Sequence, residues 1–427
     1  MLPQHHIKEG AFVAPKFDLV KKDVIGFVEK LKEFHEDFKD CFKRSEPRKN
    51  FFRYMVGQFS DIERKSIEPI ALKVEGGSVR DMQKCLSDAK WDEEKILSKH
   101  WEKVNDDIGD EDGVLIFDES GFPKKGNESA GVGKQYCGSL GKVENCQVGV
   151  FSAYASKYGY TLLDKRLFLP EKWFTGEYAD RRTKCNIPKD LVFHTKPQLA
   201  VEMFQQQEKR SPLPFKYILS DTLYGDSPDF IKVMEASGKI YFLSIACDTL
   251  IWLQDPIIME KEYKYKGEKR TKKVIKKGKP LIRVDKFAKN LHKLFWYRRK
   301  VSEGAKGPII YEFTRRKITL SKDGLPDKKV WLVIRRTLGK KPTYSYYISN
   351  ASDSIRLKTF VWLSGMRWSI EQCFGEAKAE LGMDHYELRK YTGWNHHMLT
   401  CILAHYFLWH LKISLGEKNT ICHFVSA

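Results

Sequence analysis

The order of apolar runs between residues 114 and 246 constrains the fold most. Val114, Leu115, Ile116 and Phe117 form a short apolar run that stops at Asp118. Two further strand patterns follow at 147–155 and 161–169, joined by turn-rich segments, which predicts an antiparallel meander. A helical pattern at 196–209 leads to a second short apolar run, 217–221, which stops at Asp221. Gly225, a helix over 227–237 and a continuously apolar strand over 240–246 complete the series. Three strands, helix, strand, helix, strand is the signature of a mixed α/β sheet. Two of its strands are expected to end in an aspartate. Aspartate is common in turns, so neither carboxylate alone indicates a site.

From 250 to 347 the composition changes. Residues 256–300 hold 17 Lys or Arg against 4 acids, with Tyr263 and Tyr265 between the lysines. Such density favours phosphate contacts. Alternating patterns at 308–313, 330–334 and 343–348 predict a β-rich insertion bearing basic ribbons. The helical pattern returns from Ser354, and an apolar helix, 398–415, closes the chain. His405, His410 and Lys412 interrupt that run, so it is expected to be buried rather than to span a membrane.

The N-terminal region is helical. Val24, Phe27, Val28, Leu31, Phe34 and Phe38 share one face of a helix expected over 23–42, capped by Asp23. A Pro-containing break is expected at 43–49, then a helix over 53–72 with a Ser60/Glu63 capping box. Gly76 and Gly77 break it, Ser78 caps a short helix to residue 86, and another spans 92–104. Short helices with tight breaks suit a helix-turn-helix-like DNA reader and equally a plain bundle. The acidic 106–112 stretch reads as a linker. The resulting partition is 1–108, a helical DNA-binding domain; 109–248, the first part of a catalytic core; 249–347, the basic insertion; and 348–427, the second part of the core with C-terminal helices.

The 427 residues carry 75 Lys and Arg against 56 Asp and Glu, a formal charge of +19. An excess of this size points to a polyanion, nucleic acid first. Nine cysteines lie scattered with no CxxC pair, as expected of reduced thiols in a cytosolic protein. The first fifteen residues show no apolar signal core.

The stretch from Arg367 to Lys378 carries the chemistry. Arg367, Glu371 and Lys378 are spaced by four and seven residues, which returns them to one helix face. Alone, such a line reads as a solvated salt-bridge face. With Asp118 and Asp221 it becomes a third carboxylate. Three anions beside a polyanionic substrate repel one another unless divalent cations reverse the local sign. Hard oxygen donors suit Mg²⁺, with Mn²⁺ as a substitute, and two ions suit in-line displacement at phosphorus.

Three blocks together resemble an insertion-sequence transposase of the Asp-Asp-Glu class, in the branch with a β-strand insertion before the glutamate. The first runs from Phe117-Asp118-Glu119-Ser120-Gly121 through Lys124 and Lys125 to Gly141-Lys142-Val143-Glu144-Asn145. The second is Ser220-Asp221-Thr222-Leu223-Tyr224-Gly225, and the third is Arg367-Trp368 through Glu371 and Lys378. The resemblance covers the chain from about Arg53. It implies an RNase H-like mixed sheet with Asp118, Asp221 and Glu371 as metal ligands and catalytic residues. It also implies Arg367 and Lys378 on DNA phosphates. The family signature has Tyr three residues before the Arg; here that position is Ser364, a hydroxyl on the same expected helix face. Trp368 matches a tryptophan beside the signature Arg, with Trp331 and Trp296 as further candidates to stack a flipped base. Lys124 and Lys125 are further expected DNA contacts.

The implied activity is cut-and-paste transposition. The protein would bind terminal inverted repeats as a homodimer, cleave double-stranded DNA with divalent metal and join 3′-OH ends to target DNA, with hairpin ends as a variant route. The expected setting is the prokaryotic cytoplasm and nucleoid, with no membrane partner. A non-catalytic DNA-binding protein derived from a transposase, and a metal-dependent nuclease, are the alternatives.

Overall fold

The computed structural model describes residues 26–266, 268–304 and 307–425. It divides into two compact units, one holding the described residues up to Lys216 and those from Arg367 onward, the other Tyr217–Met366.

Among the described residues, the first unit begins with the α-helices α1 (Phe27–Glu36), α2 (Ser45–Phe59), α3 (Ile67–Lys73), α4 (Val79–Ser87) and α5 (Glu93–Ile108). Asp23, the expected cap of α1, lies outside the described residues. The break expected at 43–49 is instead the start of α2. Pro47 sits in its first turn, where a missing N–H costs nothing. The Ser60/Glu63 capping box does not form. Ser60 is the C-cap of α2 in extended conformation, and its hydroxyl donates to the Val56 carbonyl at 3.0 Å. Ser78 and Asp92 do cap α4 and α5, accepting from the N–H groups of Asp81 and Lys95. The 106–112 stretch is partly helix, since α5 runs to Ile108.

Four antiparallel strands follow: β1 (Val114–Pro123), β2 (Gly133–Cys137), β3 (Lys142–Ser156) and β4 (Gly159–Phe168). Strand β3 pairs with the other three. Strand β1 does not stop at Asp118. Its ladder with β3 continues from Val114↔Ala155 to Pro123↔Cys146, which leaves Asp118 in mid-strand opposite Phe151. A short helix α6 (Ala179–Lys184) and the long α7 (Lys196–Arg210) close this part. In α7, Thr195 and Gln198 form a reciprocal capping box.

The second unit starts with a βαβ element. Strand β5 (Tyr217–Ser220), helices α8 (Thr222–Gly225) and α9 (Pro228–Ala236), and strand β6 (Ile240–Ser244) place β5 and β6 parallel. The insertion then supplies β7 (Leu250–Trp252), β8 (Ile257–Tyr265), β9 (Glu268–Lys277), β10 (Ile282–Arg283), helix α10 (Val284–Lys289), β11 (Tyr297–Gly304), β12 (Gly307–Lys322), β13 (Leu325–Arg336) and β14 (Tyr344–Ser349). Strand β14 pairs with β6, so the inserted strands extend the sheet begun by β5 and β6. The chain runs β6, β14, β13, β12, β7, β10 across that sheet, with β11 also on β12. Strands β8 and β9 form a separate two-stranded ribbon. Helix α11 (Leu357–Met366) packs on the sheet through Phe360, whose ring stacks on Phe242 and meets Trp331 edge-on.

Gly225 shows how closely this unit packs. A Cβ there would lie 1.9 Å from the Ser244 carbonyl oxygen. Backbone cannot yield as a flexible side chain can. Gly225→Ala is therefore expected to destabilise the fold by about 2–3 kcal/mol. Gly375→Ala, on helix α12 (Trp368–Leu381), meets nothing within 4 Å. It is expected to be neutral or stabilising by about 0.5–1 kcal/mol. Urea midpoints of the two variants check the contrast.

The last helix, α13 (Tyr391–Val425), is the hub of the first unit. It is buried on nearly all sides between Trp394 and Leu411, and its buried Asn395, His396, His397, Thr400 and His405 are polar groups inside that core. Its most apolar 18-residue window is 72% buried. Phe407 meets Phe27, Phe34 and Phe59 of the N-terminal helices. On another side Trp409 meets Tyr160 of β4. Helix α5 is tied to β4 by His100 and Trp101, which donate to the carbonyls of Leu162 and Leu163.

Candidate active site

Within the first unit, β1 and α12 meet face to face. Alternation along β1 sends Asp118, Ser120 and Phe122 to one face, yet a Glu119 carboxylate oxygen comes within 4.8 Å of one of Asp118. Glu119 pairs with Lys196 of α7 at 2.8 Å. On the Asp118 face, its ladder partner Phe151 makes an edge contact with Phe374 of α12. At one end of the contact, the Arg367 guanidinium lies 3.8 Å from the Asp118 carboxylate and also bonds the Glu371 carboxylate. At the other end, the Lys378 ammonium lies over the Phe122 ring and 3.4 Å from the Gly121 carbonyl. Helix and strand therefore run alongside one another. The eleven residue steps from 367 to 378 rise about 16 Å along the helix, and the four steps from 118 to 122 about 13 Å along the strand.

Asp118 and Glu371 thus share one cation. The Asp118 side chain is 16% exposed and Glu371 44%. Asp118 also accepts the Glu119 N–H at 2.8 Å. The guanidinium stands where positive charge is needed between two hard-oxygen donors. Such a donor set fits Mg²⁺ or Mn²⁺. A divalent ion bound by both carboxylates has to take over the charge that Arg367 now supplies.

Helix α12 is held from behind by Glu376, a residue the sequence did not single out. Its carboxylate accepts from Tyr160 at 2.8 Å, His405 at 2.9 Å and Gln372 at 3.0 Å. Burial opposes the charge, but these donors overcome it and bring the carboxyl down to about 2. The signal was present, since Glu376 and Glu371 lie on one short helix. What no sequence pattern showed is the buried Tyr and His that meet it. Gly382, in left-handed conformation at φ 68°, ends the helix.

In the second unit, Asp221 follows β5 and caps the short α8, accepting the Leu223 N–H at 3.0 Å. Other expected contacts fall in different settings. Trp368 is 48% exposed and Lys125 is exposed. Lys124 is half-buried. Its ammonium sits 3.4 Å from the centre of the Tyr386 ring and donates to the Tyr386 carbonyl, and burial pushes it down to about 8. Burial also lowers Lys378. Ser364 is buried and its hydroxyl donates to the Val361 carbonyl one turn back, so it presents nothing to a phosphate. The continuous helix expected from Ser354 is two helices, divided at Arg367. Trp296 is buried under the Arg336 guanidinium, and Trp331 donates to the Ser352 carbonyl.

A mixed α/β fold with a β-rich insertion thus places two carboxylates, one on a strand and one on a helix, around a single cation. The chain belongs to the DDE superfamily endonucleases, whose family model matches residues 37–308. The match includes Asp118 and Asp221 and ends before Glu371. Among curated proteins, the chain is 24% identical over 342 residues to a probable transposase for insertion sequence element IS701 from Microchaete diplosiphon. That alignment spans 80% of this chain and 77% of the relative. Among solved structures, the NurA nuclease from Sulfolobus solfataricus aligns over 69% of this chain and 86% of its own, at 12% identity and a TM-score of 0.28, too low to carry an argument. The resemblance read from the sequence and the family match agree on an enzyme of the Asp-Asp-Glu class.

Proposed function

We propose that the protein is an insertion-sequence transposase that binds the terminal inverted repeats of its element, cuts DNA there and joins the 3′-OH ends to target DNA. The observation that carries this reading is the shared guanidinium, because β1 and α12 bring Asp118 and Glu371 to one cation between them. Asp221 is assigned as the third ligand on its place after β5 and within the family match. Asp118, Asp221 and Glu371 would hold two divalent ions. When bound, these supply an activated water or 3′-OH and stabilise the leaving oxygen.

The chain's own residues do the rest. Arg367, once released from the carboxylates, and Lys378 hold phosphates beside the scissile bond. Trp368 offers an exposed ring for a flipped base. The enzyme acts as a homodimer that pairs two element ends, in the cytoplasm at the nucleoid.

The test uses a labelled duplex carrying one element end and a supercoiled target plasmid, with and without Mg²⁺. Joined product that requires Mg²⁺ is expected. Binding without cutting would mean a DNA-binding protein derived from a transposase, and cutting without joining a nuclease; either result overturns the proposal.

A further inference from the structure

The ribbon of β8 and β9 stands apart from the sheet of its unit and has no core of its own. Every residue of β8 is exposed, and in β9 only Val274 and Ile275, at the root, are half-buried. An isolated two-stranded hairpin is marginal in water. This one continues for nine paired positions, about 30 Å.

Its two faces differ, and the register shows how. Residues directly opposite in an antiparallel pair share a face. One face carries Met259↔Val274, Lys261↔Lys272, Tyr263↔Arg270 and Tyr265↔Glu268. The other carries Ile258↔Ile275, Glu260↔Lys273, Glu262↔Thr271 and Lys264↔Lys269. Each holds three cations. On the second face two glutamates lie among them and no aromatic ring is present. On the first, the single acid, Glu268, is paired with Arg270 at 3.0 Å. Lys261 and Lys272 oppose one another there, and the adjoining pairs on that face bring no carboxylate. Like charges directly opposite destabilise a ribbon unless an anion lies against them. Tyr263 and Tyr265, 38% and 48% exposed, stand under Lys272 at 5.3 Å and Arg270 at 5.0 Å. These contacts confirm the face assignment and give the cations a rigid apolar floor.

We infer that this ribbon is a DNA-binding element separate from the catalytic residues, which enters the major groove of duplex DNA with its Tyr263/Tyr265 face toward the nucleic acid. The charge complements a polyanion, and the major groove admits a two-stranded ribbon. Lys261, Arg270 and Lys272 meet phosphates, and the tyrosines pack against the groove wall. The Glu260/Glu262 face is turned to solvent, where its acids do not oppose the backbone. The inference rests on the proposed DNA substrate.

Two triple variants of the full chain separate face from bulk charge. Lys261→Ser, Arg270→Ser, Lys272→Ser and Lys264→Ser, Lys269→Ser, Lys273→Ser remove the same charge from opposite faces. Binding is read by fluorescence anisotropy on a labelled duplex longer than the ribbon, over a salt series. The first triple is expected to weaken binding at least about tenfold near 0.15 M salt and to flatten the log–log salt slope by about 2–3, since each phosphate contact contributes about 0.9. The second is expected to change affinity less than about threefold, because its cations face away from the phosphates. Tyr263→Ala with Tyr265→Ala is expected to weaken binding and leave the slope unchanged. Equal losses from both triples would mean unspecific attraction, and no loss from either would mean the ribbon is off the DNA. Loss of dimer mass by light scattering with DNA affinity intact would mean that it contacts a second copy. Each of these overturns the inference. A wild-type chain that binds no duplex sinks the proposed function itself; one that binds and joins DNA while the triples do not differ sinks the ribbon alone.

Discussion

Substitution of Asp118 or Glu371 by Ala is expected to lower strand cleavage by at least about a thousandfold while duplex binding stays within about threefold of wild type. Metal-assisted stabilisation of charge at phosphorus contributes several kcal/mol, and each 1.36 kcal/mol is tenfold in rate. Binding survives because cations on several elements carry it. Asp221→Ala belongs to the same series. The two outcomes are read separately, cleavage on a denaturing gel and binding by anisotropy without Mg²⁺. Cleavage within tenfold of wild type in any of the three would remove that residue from the metal site. Arg367→Ala sharpens the case. It removes the cation that Asp118 and Glu371 share, so Mn²⁺, followed by its electron paramagnetic resonance signal, is expected to bind more tightly than to wild type. DNA-end binding is expected to weaken in the same variant.

The element that carries Glu371 was visible in the sequence because its signal is local. The spacing of four and seven residues survives any arrangement of the rest of the chain, and α12 forms as the pattern requires. The strand that carries Asp118 was found but cut short, since only 114–117 are apolar. Backbone pairing with β3 is indifferent to side chains and carries β1 through Glu119, Ser120 and Gly121 to Pro123. The long β12–β13 hairpin was also underestimated. Its charged residues 315–317 hid the strand, yet Asp323 and Gly324 at its tip both have positive φ, as a two-residue hairpin turn demands. That dipeptide was legible. The burial of Ser364 and the half-burial of Lys124 were not legible for another reason: a hydroxyl or ammonium in the right part of the sequence says nothing about burial. Val361 and Tyr386 take their polar contacts inside the fold.

Acid is expected to unfold the first unit well before its carboxylates titrate, because three histidines lie in the contacts between the hub helix α13, the N-terminal helices and β4. His397 donates from Nε2 to the Met383 carbonyl at 3.1 Å and accepts the Tyr54 hydroxyl at Nδ1, 2.9 Å away. Its neutral ring is satisfied at both nitrogens. His396 stacks on Trp91 at 3.8 Å and donates to the Leu86 carbonyl. His100 donates to Leu162, and its Nδ1 has no acceptor to receive a second N–H. Burial lowers all three from 6.5, His100 and His396 to about 4 and His397 to about 3, although Glu93 beside His396 pulls the other way. A histidine depressed in the folded state stays neutral there while the unfolded chain takes up a proton. Its contribution is therefore complete above pH 6.5 and declines as the pH falls toward the folded value. Each such group costs about 1.4 kcal/mol per pH unit in that window, so three cost about 6 kcal/mol between pH 6.5 and 5. A domain with about 5–15 kcal/mol of stability is close to unfolding after that loss. Urea unfolding followed by circular dichroism at pH 7.5, 6.5 and 5.5 checks it, with a midpoint that falls steeply only below 6.5. His100→Gln keeps a donor for Leu162 and removes one titrating group. It is expected to lessen the pH dependence by about a third, since one of three equal proton uptakes is gone. A midpoint unchanged from pH 7.5 to 5.5 would show that these rings are protonated in the folded protein, in conflict with the Tyr54 hydroxyl that donates to His397 and with the missing acceptor at His100 Nδ1.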